Sequence, residues 1–268
     1  MGPPAVTTTP ETTAPVSTAP SRSVPSAQFI ACHSILHLDA RHVLAQRAVL
    51  DPQIMHRTVM SGFYGWVEPG DPDARAQMGI LNLWNLDLRS NKLLIVVQSR
   101  VQPDWSALPA NALVDDVTVL PVDLRVRRGE TFGFRTVVNP ARHREVWKDT
   151  PQGRERARLR LADTTPRHAR EWFAERLQPE GAEPVGRAGI RRIGATGDVG
   201  GMAVRILPKL TFGDSHRGQK IGRAEIRGAL TVTDPDTFVQ ALTNGIGRGR
   251  AYSSGLLLVR PRDEAGDM

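Results

Sequence analysis

The stretch Leu230-Thr-Val-Thr-Asp-Pro-Asp-Thr-Phe-Val-Gln-Ala-Leu-Thr-Asn-Gly-Ile-Gly-Arg-Gly-Arg-Ala-Tyr-Ser-Ser-Gly-Leu-Leu-Leu-Val259 decides the fold. Leu230 to Thr233 and Leu256 to Val259 are strand-like, and Pro235 to Asn244 is helix-like. Between helix and second strand, glycines fall at alternate positions (Gly245, Gly247, Gly249), interleaved with Arg248 and Arg250. Glycines so spaced let a backbone approach a ligand closely and turn its N–H groups outward, while the guanidiniums supply fixed positive charge. That combination suits a phosphate backbone.

Working back from this strand-helix-strand, Val204 to Leu210 and Ile221 to Val232 read as a hairpin, Pro166 to Leu177 as a helix, and Thr131 to Asn139 as a strand. The second half therefore has the order β-α-β-β-α-β. The first half offers the same order. Phe29 to Leu36 is a strand, Ala40 to Tyr64 is helical with a break at Asp51-Pro52 that marks a helix start, and Asn82–Leu88 with Leu93–Val101 form a hairpin around the turn 89–92. Pro103 to Leu108 resembles a short helical start, and Val117 to Val126 is a further strand. The expected class is α+β: two tandem ferredoxin-like (RRM-like) βαββαβ domains, at 28–126 and 127–268, joined at the Arg127-Arg-Gly-Glu130 turn. Residues 1–27 are almost entirely Pro, Thr, Ser, Ala and Val, too poor in apolar surface to offset their ordering entropy, and are expected to be disordered. The Arg-rich stretch from Ala141 to Asp163 reads either as a solvated, salt-bridged loop or as a nucleic-acid-contacting arm.

The chain of 268 residues is long enough for two cores, and its net charge of +7 with a pI near 10.4 comes far more from Arg than from Lys. Arginine favours planar, bidentate phosphate contacts, so nucleic acid is the leading partner. A single cysteine, Cys32, excludes an intrachain disulfide and a Cys-rich zinc site and fits a reducing cytoplasm. No secretory signal and no apolar run of about 20 residues is present, so no membrane partner is expected.

Seven histidines are present, and none forms a recognised metal-binding pair; His33, His37 and His42 lie close in sequence without carboxylates at a ligating spacing. No metal and no cofactor is expected. The glycine run leads into a strand, whereas a dinucleotide-binding loop opens a helix. His56 stands apart because it follows the helix start at Asp51-Pro52 and precedes Arg57. An imidazole there exchanges protons at neutral pH while the guanidinium meets a phosphate, which is what metal-free RNA cleavage requires; a lone helical histidine is more often an ordinary surface or core-edge residue.

Met55-His-Arg-Thr-Val-Met60, Gln102-Pro-Asp-Trp-Ser106, Phe134-Arg-Thr-Val-Val-Asn-Pro140 and the glycine-rich segment through Val259 occur in an order that resembles the CasE family, the CRISPR repeat-processing endoribonucleases of the type I-E Cascade complex. The resemblance spans about Phe29 to Pro261. It implies that the chain binds a CRISPR repeat stem-loop RNA, cuts it at the base of the stem to leave a 2',3'-cyclic phosphate and a 5'-hydroxyl, and stays with the product among other Cascade subunits. It implies His56 for proton transfer and Arg57 for phosphate, with Lys220, in the basic hairpin segment, and its companion Arg217 on the stem or the scissile phosphate. Gly245, Gly247, Arg248, Gly249, Arg250 and Tyr252 form the RNA-binding loop, where Tyr252 either meets RNA or packs loop to domain. Some members carry a tyrosine three residues before the histidine where this chain has Gln53, so a tyrosine-assisted scheme does not carry over. A hairpin-binding subunit without cleavage is the alternative, and an RRM-like adaptor for many structured RNAs the third.

Overall fold

The computed structural model describes residues 24–66, 73–151, 153–161, 164–213 and 219–262. Most of the expected tail and Arg217 lie outside them.

The first half begins with β1 (Ser26–Asp39), followed by α1 (Val43–Leu50), α2 (Pro52–Met60), the single turn α3 (Ala74–Gln77), the hairpin β2 (Leu81–Asp87) and β3 (Lys92–Ser99), and β4 (Thr118–Arg127). Strand β1 starts before Phe29 and so shortens the expected tail: Ser26 pairs with Arg127 and Ala27 with Val126. Ladder hydrogen bonds are made by the backbone, so small side chains join a strand wherever a partner is present. Asp51 ends α1 and starts α2, its carboxylate accepting from Gln53 N at 2.8 Å, with Pro52 in the first helical position, where a missing N–H costs nothing.

The expected helical start at Pro103 is not an α-helix. Prolines at 103 and 109 remove donors, Asp104 closes a turn by accepting from Ser106 N at 2.9 Å, and only a 3-10 turn follows at Ala110–Ala112. Trp105, Leu108 and Ala112 nevertheless enter the core beside α1 and α2, and Trp105 Nε1 donates to buried Ser34 Oγ at 3.0 Å. Side chains from an irregular segment thus cover the sheet where a second helix was expected.

The second half comprises β5 (Thr131–Val138), the hairpin β6 (Arg142–Thr150) and β7 (Gly153–Leu161), α4 (Pro166–Ala174), β8 (Ala195–Thr196), β9 (Ala203–Thr211), β10 (Lys220–Val232), α5 (Pro235–Asn244) and β11 (Leu257–Pro261). The Arg-rich stretch is therefore a two-stranded ribbon, β6 pairing with β7 from Arg142↔Leu161 to Thr150↔Gly153. Helix α4 stops three residues short of Leu177.

The strands form antiparallel sheets. The first is ordered β2-β3-β1-β4, and the second β11-β5-β10, with β8 and β9 along the other edge of β10. If the inserted β6, β7 and β8 are set aside, both have the order fourth, first, third, second.

Period-2 alternation in β1 explains how the halves join. Leu36 and Leu38 face α1 and α2, whereas Phe29 and Ala31, on the opposite face, share a core with Phe132, Phe134, Phe238 and Leu242 of the second half. Helix α5 therefore lies between the two sheets, and buried Gln98 on β3 donates from Nε2 to the Leu242 carbonyl at 2.8 Å.

Candidate active site

Helix α2 carries Gln53 and His56 one turn apart, so both project from the same face. Met55, Thr58 and Val59 are buried, which holds the helix in rotation, while Arg57 is exposed. The glycine-rich loop arrives at this face from the far end of the chain. The Gln53 amide donates from Nε2 to the Tyr252 hydroxyl at 3.0 Å, the His56 and Tyr252 rings stand edge to face with centroids 6.2 Å apart, and the Ala251 backbone hydrogen-bonds His56. Phe212, just past β9, also stands edge to face with Tyr252, at 4.8 Å between centroids. Lys220, exposed, opens β10 opposite Thr211 at the same end of that hairpin.

The glycines have backbone reasons to be there. Gly245, Gly247, Gly249 and Gly255 all have positive φ, between 73° and 92°, a region costly for any residue with a Cβ. A Cβ on Gly245 would fall 2.9 Å from Leu81, and one on Gly247 2.8 Å from the Trp172 ring. Those two positions are thus pressed against protein. Ser253 also has positive φ (54°), and its buried hydroxyl donates to buried Asn82 Oδ1 on β2. Of the two loop arginines, Arg248 is exposed, whereas Arg250 is half-buried and donates from Nη1 to the Asn244 carbonyl at 2.8 Å.

Among the described residues the charges that act on His56 are those of Arg75 and Arg57. Burial comes first in holding its pKa below the ordinary histidine value, Arg75 next; the hydrogen bond to Ala251 works against them, and Arg57 adds to the depression. An imidazole so placed is neutral near pH 7, with a nitrogen able to take a proton.

The structure thus brings together His56, Tyr252, Arg250 and the end of the β9–β10 hairpin, and keeps Arg57 and Arg248 on the rim. It makes Gln53, noted in the sequence only as a departure from the family pattern, the partner of Tyr252, and it adds Phe212, Asn82 and Arg75, which sequence reading did not mark. Arg75 sits in an unremarkable Asp-Ala-Arg-Ala with no motif around it; its importance arises only from where α3 is packed. The histidines close in sequence are separate: His42 caps α1 through Nδ1, His37 lies 3.4 Å from Asp115, and His33 meets Gln98 at 3.3 Å. Among the described residues no group of three or more His, Cys, Asp or Glu is placed to hold a metal ion.

A family model described as CRISPR associated protein matches residues 33–261. Over 228 residues the chain is 28% identical to the CRISPR-associated endoribonuclease Cse3 of Thermus thermophilus, covering 81% of this chain and 93% of that protein. The structure of Thermus thermophilus Cse3 bound to an RNA representing a pre-cleavage complex superimposes with a TM-score of 0.58 at 26% identity, covering 87% of this chain and 100% of that one. The CRISPR-associated protein Cas6e from Escherichia coli K-12 gives 0.60 at 16% identity with the same coverage, a likeness of fold. The chain, matched by the family model over nearly all of its described length, belongs to the CRISPR associated protein family.

Proposed function

We propose that this protein is an endoribonuclease that cuts the stem-loop of CRISPR repeat RNA once, without a metal, and holds the product for assembly with other Cascade subunits. The observation that carries the reading is the meeting of His56, from the first half, with the Arg250-Ala-Tyr252 segment of the glycine-rich loop, from the second. Similarity to Cse3, a protein whose name is that of an endoribonuclease and whose structure holds RNA, supports the same assignment. The shared strand order of the two sheets supports reading the chain as tandem ferredoxin-like domains, 28–126 and 127–268.

In the reaction, the 2'-oxygen of the nucleotide before the cut attacks the adjacent phosphorus. The O2'–P bond forms, the P–O5' bond breaks, a proton leaves the 2'-hydroxyl and another reaches the departing 5'-oxygen, giving a 2',3'-cyclic phosphate and a 5'-hydroxyl. Neutral His56 suits removal of the first proton. Positive charge from Arg57 and Arg250 meets the phosphorane as its charge grows, a stabilisation worth most where water is sparse. Lys220, Arg217 and Arg248 follow stem phosphates, because the deep groove of A-form RNA offers side chains little sequence information. Gly245, Gly247 and Gly249 serve this interface by shaping the loop that carries the cations.

The test is cleavage of the host's repeat RNA in excess EDTA by wild type and His56→Ala. A single cut at the stem base by wild type only, with a cyclic phosphate end, is expected, and the variant should retain hairpin affinity within a few-fold. Tight binding with no cut by either protein would instead identify a hairpin-binding subunit.

A further inference from the structure

Arg75 has the attributes of a functional cation, and among the described residues no carboxylate forms a salt bridge with its guanidinium. Helix α3, a single turn, is entered through Asp73, a non-glycine residue at φ 64°, the kind of backbone strain that persists only where surrounding structure imposes it. The residue is then tied twice to Ile80 at the threshold of β2: Ile80 N donates to the Arg75 carbonyl at 2.9 Å, and Arg75 Nη1 donates to the Ile80 carbonyl at 2.6 Å. One arm of the guanidinium is thereby fixed. Arg250 repeats the arrangement, with Nη1 on the Asn244 carbonyl and its stem against Gly255, whose Cβ position lies 3.1 Å from Arg250 Cγ.

Among the described residues neither guanidinium forms a salt bridge with a carboxylate. Both are half-buried, and Arg75 titrates below the usual arginine value, through burial first and then the charge of Arg250, with Asp73 acting the other way. Two partly desolvated cations that repel each other are costly unless an anion sits with them. Such arrangements are typical of sites whose ligand supplies the missing charge.

We propose that Arg75, together with Arg250, anchors the phosphate at which His56 acts. This rests on the endoribonuclease reading and names a residue that reading lacked. The phosphodiester carries one negative charge and the phosphorane nearly two, so a pair of fixed guanidiniums binds the transition state more strongly than the substrate. Among the described residues, the charges that act on His56 are Arg57 on its own helix and Arg75 on α3, Tyr252 of the loop meets its ring, and Arg250 acts in turn on Arg75.

The experiment compares wild type, Arg75→Ala and Arg75→Lys in single-turnover cleavage across pH, and in binding of the same hairpin with a 2'-deoxy nucleotide at the cut. Arg75→Ala is expected to slow cleavage about 100-fold or more while uncleavable RNA binds within about tenfold. Removing the neighbouring cation should also move the acid limb of the pH–rate profile to higher pH. Arg75→Lys should leave that limb near its wild-type position while recovering only part of the rate, because a point charge replaces a planar fork. Wild-type cleavage by Arg75→Ala would overturn the proposal; so would equal losses of rate and affinity with an unmoved limb, which describe a merely structural residue.

A second readout does not depend on cleavage. In RNA-free protein followed by NMR, inorganic phosphate should raise the His56 pKa in wild type and leave it unchanged in Arg75→Ala; equal responses in both would count against the site. If wild type fails to cut yet shows the phosphate response, the nuclease reading falls and the anion site stands.

Discussion

At the scale of the residue, two histidines link stability to pH. His33 and His56 are both held below the ordinary histidine value of 6.5, burial being the main cause in each. Below that value the unfolded chain binds protons that the folded chain resists, so stability rises with pH through this window and is lost as pH falls. Thermal melts between about pH 5 and about pH 7 should show the midpoint dropping toward acid, and His33→Gln should flatten the drop; a slope untouched by that substitution would contradict the account. His56 was legible in the sequence because a helix start at Asp51-Pro52 placed it at a helix opening beside Arg57. Arg75 was not legible: its neighbours in sequence say nothing, and its charge acts on His56 because a single turn of helix is packed at the mouth of β2.

The element that most shapes the site is the glycine-rich loop, whose glycines were legible as a pattern and are explained by backbone geometry. Gly247 has φ 74°, and an added Cβ would lie 2.8 Å from Trp172, so Gly247→Ala combines left-handed strain with a clash against a ring that α4 holds in the core. A loss of roughly 1–3 kcal/mol is expected, read by denaturant melts, together with weakened RNA binding as the loop shifts away from His56. Arg248 behaves differently. It is exposed, and Arg248→Ala should leave stability within about 0.5 kcal/mol while lowering the salt slope of RNA binding by about one. The helical start expected at Pro103 failed for an equally local reason, since two prolines and an aspartate turn outweighed the apolar spacing of Trp105 and Leu108.

At the scale of the whole molecule, the two halves are not independent bodies. Phe29, Ala31 and Val126 of the first sheet are buried in the same cluster as Phe132, Phe173 and Phe238 of the second half. Phe238→Ala should therefore cost about 3–5 kcal/mol and lower one cooperative transition followed by both near- and far-UV signals, rather than unfolding the second half alone. Two separated transitions would show that the halves are coupled weakly. The sequence by itself determined the elements whose signals are local: the strand periodicities, the helix openings at Asp51-Pro52 and Pro235, the alternate glycines of the loop, and the positive charge that points to nucleic acid. Only the tertiary structure decided that β1 serves two cores with its two faces, that 142–161 is a ribbon, and that His56 and Tyr252 meet within the field of Arg75, because those outcomes depend on contacts between residues up to 199 positions apart, which no local pattern encodes.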